Sequence, residues 1–221
     1  MRHRSSLSNA GIDMPFGPAF LNLTQTLLLG CGWFAILLGG SLGLAFAIAT
    51  QSGVLAIDPE WSRQLFAHFM LGRLPTLLVA CFVLLRVNFQ FATDAELVQG
   101  LFERNKFGAY VLACILATML AWSWFFLSVL VSSWLGFMHS FSGFGQIFWE
   151  SYLVEFQFSQ LLHAAFRMFV LSLSLCLVTL FEIKFLSTQP DQLHQMMSRT
   201  TIFGVLMILG IELLDFFWSL N

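Results

Sequence analysis

The stretch FGAYVLACILATMLAWSWFFLSVLVSSWLGF, residues 107–137, contains no charged side chain. A bilayer hydrocarbon core is about 30 Å thick, so a helix needs about 20 consecutive apolar residues to cross it. This stretch exceeds that length. Four more runs resemble it: Phe20–Thr50, Leu65–Leu85, Leu161–Phe181 and Ile202–Leu220. In hydrocarbon the backbone must satisfy its own polar groups, and a helix does so within one segment. The fold class that follows is all-α: a polytopic membrane helix bundle of five transmembrane helices.

Composition agrees. The chain is 58% hydrophobic and 10% charged, where soluble domains carry about 25% charged residues. A net charge of -2 gives no basic surface for nucleic acid. No polar linker divides the chain, so residues 1–221 are expected to form a single domain. Residues 1–15 are polar and lead into an apolar run too long for a signal-peptide core, so the first helix is expected to be retained. Cys31, Cys81, Cys114 and Cys176 sit singly in different runs, which favours small buried hydrophobes over disulfides or metal ligands.

Charge sets the expected orientation. Arg2, Arg4, Arg86, Arg104, Lys106, Lys184 and Arg199 fall on one side, and Arg63 falls alone on the other beside Asp58, Glu60, Glu150 and Glu155. Positive residues are retained in the cytoplasm. That places the N-terminus inside and the C-terminus outside.

The first run is long for one crossing. Either residues 15–26 form an N-terminal interfacial helix, or the helix tilts and breaks at Gly39, Gly40 and Gly43. Gly39 and Gly43 also make the small-xxx-small spacing of close helix contacts. Pro75 should kink the second span near Gly72, because it removes a backbone donor.

Charges at membrane depth are expensive and therefore informative. Arg73 and Arg167 lie within the second and fourth spans. Glu212 and Asp215 are three residues apart in the fifth, on one face. An interhelical ion pair of Arg167 with Glu212 or Asp215 is expected. Gly39, Gly43, Arg73 and Pro75 are the positions expected to border a lipid. His68 and His163 leave open one haem pair, without a second. No nucleotide, hydrolase or metalloprotease motif is present, so no catalytic group and no resident cofactor or metal is expected.

Between the second and third spans, Thr93-Asp94-Ala95-Glu96 fits a capping box. The residues that follow place Leu97, Val98, Leu101 and Phe102 on one face of a short amphipathic helix. That helix either rests on the membrane surface or docks a cytoplasmic partner.

Several of these motifs stand in the order of a known family. Leu161-Leu162-His163-Ala164-Ala165-Phe166-Arg167 with Leu180-Phe181 resembles the fourth helix of MlaE-type (YrbE-type) permeases. Ser198-Arg199-Thr200-Thr201 with Asp215-Phe216 resembles that family's Gly-Arg-Ala-Thr-Thr and Leu-Asp-Phe motifs, one residue short. Leu74-Pro75, Arg86, Thr93-Asp94-Ala95-Glu96 and Gln51-Ser52-Gly53 resemble further family motifs in the same order. Gly72 and Arg73 stand where the family has an acidic residue, and the loop before the third helix is shorter. The resemblance implies a permease subunit of an ABC-type lipid transporter in the bacterial inner membrane. It implies a cytoplasmic ATPase that hydrolyses ATP on its own chain, a periplasmic MCE-domain protein and a second permease subunit, homo- or heterodimeric. Glu96, Leu97, Leu101 and Phe102 would couple to the ATPase, and Arg199, Thr200 and Thr201 would carry the family motif. The alternatives are a permease-like scaffold that does not couple, and a haem or quinone anchor.

Overall fold

The structure, a computed structural model, describes residues 16–51, 59–93, 107–140, 150, 158–186 and 193–219. Helix α1 is Phe16–Gln51. A short helix α2, Pro59–Gln64, opens on a proline, which loses nothing at a first turn where N–H groups are unpaired anyway. It leads into a π-helical stretch, Leu65–Arg73, and then α3, Leu74–Thr93. Helices α4, α5 and α6 are Phe107–Ser140, Phe158–Leu186 and Leu193–Ser219. All elements among the described residues are helical, and five spans are long and apolar enough to cross a membrane: Leu23–Thr50, Trp61–Phe89, Phe107–His139, Phe158–Glu182 and Met197–Asp215.

The exposed side of these helices is apolar. Leu29, Trp33, Leu37, Ile48, Leu127, Phe166 and Leu214 all face outward. The inside is rich in small residues, including Ala35, Ala47, Ala67, Ala80, Ala113, Ala117 and Ala121. A water-soluble bundle hides large apolar groups. In lipid there is no such drive, and small residues inside let backbones approach. Hydroxyls are hidden locally: Thr24, Thr50, Thr118, Thr179 and Thr201 each donate to the carbonyl four residues earlier. This spares a lone donor in hydrocarbon.

The contacts divide the chain into two compact units. One comprises Gly32–Val79 and Met119–Met168. Here α1 and α4 meet along a seam of small residues. A Cβ on Gly39 would lie 2.6 Å from the Phe125 carbonyl oxygen, and one on Gly43 would lie 2.5 Å from that of Val129. A Cβ on Gly136 would lie 2.5 Å from that of Ala47. Ser128 Oγ donates to the Ile36 carbonyl at 2.7 Å and Ser133 Oγ to the Gly43 carbonyl at 3.2 Å, tying the helices across the seam. Helix α1 is unbroken through Gly39, Gly40 and Gly43, which removes the break at the glycines, one of the two alternatives for this long run. The glycines serve close approach instead of a bend. Beyond the seam, Phe46 stacks on Phe66 with centroids 4.6 Å apart and meets Phe137 at 6.4 Å.

The other unit comprises Met1–Cys31, Ala80–Thr118 and Phe169–Asn221. Its core includes Leu27, Leu84, Tyr110, Leu171, Leu175 and Ile208. Helix α6 buries a narrow stripe, Thr200, Gly204 and Ile208, at four-residue spacing. Gly204 makes room for Leu84: a Cβ there would lie 2.5 Å from Leu84 Cδ2.

Candidate functional site

Pro75 has no N–H, so the usual bond to the carbonyl four residues back cannot form. The sequence predicts a kink at this point. The structure spreads the defect over the preceding nine residues as a π-helical stretch. There the Leu74 N–H bonds the Phe69 carbonyl, five residues back. Such insertions are rare and concentrate at functional sites. Pro75 itself is buried, as is Thr76 beside it.

Arg167 reaches this defect from α5. It continues the buried stripe of Ala164, Met168, Leu171 and Leu175, and is only 5% exposed. Its Nη2 donates to the Gly72 carbonyl at 2.8 Å and to Thr76 Oγ1 at 2.7 Å. Thr76 Oγ1 in turn donates to the Arg73 carbonyl at 2.7 Å. A guanidinium thus bridges backbone and side-chain oxygens on either side of the proline. Hydrogen bonds to a charged group contribute about 1.5–3 kcal/mol each, enough to hold an irregular backbone at membrane depth. The same stretch carries a second link to α5: His68 Nδ1 and Gln160 Nε2 lie 3.4 Å apart.

Within the unit formed by 1–31, 80–118 and 169–221, Asn88 on α3 is buried and its Nδ2 donates to Thr201 Oγ1 on α6 at 3.1 Å. Thr200 is buried beside it and Arg199 is exposed. Two residues before Asn88, Arg86 lies over Gly30 of α1. Glu182, in the last described buried position of α5, is 8% exposed.

Each sequence-marked residue has a definite place. Gly39 and Gly43 are filled by α4. Pro75 and Arg167 are brought to one spot. Arg73 is half-buried and engaged by protein partners, as are Glu212 and Asp215 on α6. The observed hydrogen bonds of Arg167 run to Gly72 in the π-helical stretch and to Thr76 in α3. His68 and His163 are both exposed. Among the described residues no group of three or more His, Cys, Asp or Glu could hold a metal ion. All four cysteines are free. Glu96, Leu97, Leu101 and Phe102 lie outside the described residues.

No protein-family model, curated protein or solved structure matches this chain. What stands is a five-helix polytopic membrane protein with a π-helical stretch in its second span, clamped by an arginine.

Sequence reasoning missed Thr76, Asn88 and Gly30. A buried asparagine in an apolar run is a signal, since it demands a partner. Thr76 follows a proline, where a hydroxyl can serve bare carbonyls. Gly30 has no local signature, because its role depends on a side chain from another helix.

Proposed function

We propose that the chain is a membrane permease subunit of an ATP-driven lipid transport complex, of the MlaE type. The observation that carries this reading is the clamp of Arg167 on the second span, across Pro75 and the π-helical stretch before it. Leu74-Pro75 and Arg167 are two motifs of the resemblance, far apart in sequence, and they meet at one buried point. A second meeting supports it: Thr201, from the Arg-Thr-Thr motif, bonds Asn88, two residues beyond the motif arginine Arg86. Irregular backbone at membrane depth is tolerated where protein satisfies it, and π-helical stretches concentrate at functional sites.

In this reading the apolar helices present acyl chains with a surface of Leu and Phe, and the π-helical stretch of the second span supplies the element that moves. The chain sits in the bacterial inner membrane with its N-terminus in the cytoplasm. It pairs with a second permease subunit and contacts a periplasmic MCE-domain protein. A cytoplasmic ATPase hydrolyses ATP and docks on Glu96, Leu97, Leu101 and Phe102. The test is to extract the tagged chain in mild detergent and identify what stays bound. An ABC ATPase and an MCE-domain protein are expected. Recovery of another permease without contact to the ATPase would favour the scaffold reading. A purified chain with a haem absorption band and neither partner would overturn both.

A further inference from the structure

Arg86 and Arg167 are both arginines within membrane spans, and they differ in one respect. The fork of Arg167 donates to two oxygens, while its Nε, like that of Arg86, is buried without a hydrogen-bond partner. No hydrogen bond or ion pair reaches Arg86 among the described residues, and its Nε is buried without a partner. The two terminal nitrogens are not among the buried unpartnered atoms, so the fork of the guanidinium opens outward. The neck of the side chain lies on α1. A Cβ at Gly30 would stand 2.5 Å from Arg86 Nε and 2.9 Å from Cζ. Glycine at position 30 is therefore what lets the arginine lie there. Cys31, the next residue of α1, is also within its electrostatic reach.

A guanidinium with a buried neck and a free fork is a preorganised anion receptor. Its rigid donors match a phosphate bidentately, and such charge-assisted pairs are the strong ones. Depth selects the anion. Arg86 is about one turn from the end of the span Trp61–Phe89, where long cationic side chains reach lipid headgroups. We propose that Arg86, laid over Gly30, holds the phosphate of an anionic membrane lipid. The site belongs to the folded chain and does not depend on whether the chain transports lipid.

The test is native mass spectrometry of the purified full chain in mild detergent. Phosphatidylglycerol is titrated in, with phosphatidylcholine in parallel. Wild type should retain one phosphatidylglycerol where phosphatidylcholine has been lost. Arg86→Gln should weaken that retention about tenfold or more, from the loss of a charged hydrogen-bond donor. Arg86→Lys keeps the charge without the fork and should fall between. Gly30→Ala leaves net charge unchanged and displaces only the flexible end of an arginine. It should still weaken retention severalfold, which attraction to bulk charge cannot explain. If Arg86→Gln does not fold, Gly30→Ala carries the test. Equal retention by wild type and Gly30→Ala would overturn the site. Displacement of the lipid by millimolar inorganic phosphate would assign the arginine to a soluble anion and overturn the lipid.

Discussion

Removing Arg167 strips the Gly72 carbonyl and Thr76 Oγ1 of a charged donor in a place without water. A buried acceptor left bare costs about 1–3 kcal/mol. Arg167→Ala should therefore lower the unfolding midpoint in detergent by more than Thr76→Val, which removes one of the two acceptors. The double variant should lose less than the sum, because contacting residues couple by about 0.5–3 kcal/mol. Strict additivity would show that the clamp carries no energy. The proposed pairing of Arg167 with Glu212 or Asp215 is read by a second cycle. Breaking a buried ion pair costs about 3–5 kcal/mol, and Arg167→Ala with Asp215→Asn should recover part of that loss. Sequence marks Arg167 as a costly charge but not its observed partners. Those depend on a carbonyl whose surroundings are set by Pro75 on another helix, and no periodicity reports that.

The helices themselves were largely legible. The five apolar runs and the five spans agree to within a few residues, because length and apolarity are what the bilayer demands. The starts of the second and fifth spans are the exceptions: the helices already begin at Pro59 and Leu193, since Glu60 and Arg63 in the one, and His194, Gln195 and Arg199 in the other, mask them from a reading by hydropathy. Of the readings open at Gly39 and Gly43, close helix contact is the one the structure shows and the break is not. Pro75 goes with a whole stretch of altered backbone instead of a kink at one turn. For the α1–α4 seam, packing should outweigh hydrogen bonding. A side chain at Gly39 meets the Phe125 backbone oxygen at 2.6 Å, which has no rotamer to give. Overpacking of this kind costs about 1–3 kcal/mol. Interhelical hydrogen bonds in membranes average about 0.6 kcal/mol, so Ser133→Ala should cost less. Thermal unfolding followed by size exclusion should rank Gly39→Leu well below Ser133→Ala. The reverse order would mean that the hydroxyls, and not the glycines, hold the seam.

At the scale of the molecule, function depends on orientation and on the partner. In the proposed topology, with seven Lys and Arg on one side and one on the other, Asn221 would lie outside. Alkaline phosphatase fused after Asn221 should be active, and a fluorescent reporter that folds only in the cytoplasm should be dark there. The opposite pattern would invert the proposed topology and remove the cytoplasmic docking helix with it. That helix is the point where the leading readings part. If Leu97, Leu101 and Phe102 dock an ATPase, their face is a small apolar interface, and such interfaces concentrate energy in a few side chains worth about 2 kcal/mol or more each. Leu101→Asp would put a charge into that contact while leaving the spans untouched. A loss of about 2 kcal/mol is roughly thirtyfold in affinity, enough to release the ATPase during purification and abolish lipid-stimulated ATP hydrolysis. The same substitution on a helix that only rests on lipid would change membrane contact and leave the ATPase bound. Unchanged association and turnover in Leu101→Asp would assign coupling to another chain and leave this one as the partner that completes the membrane bundle.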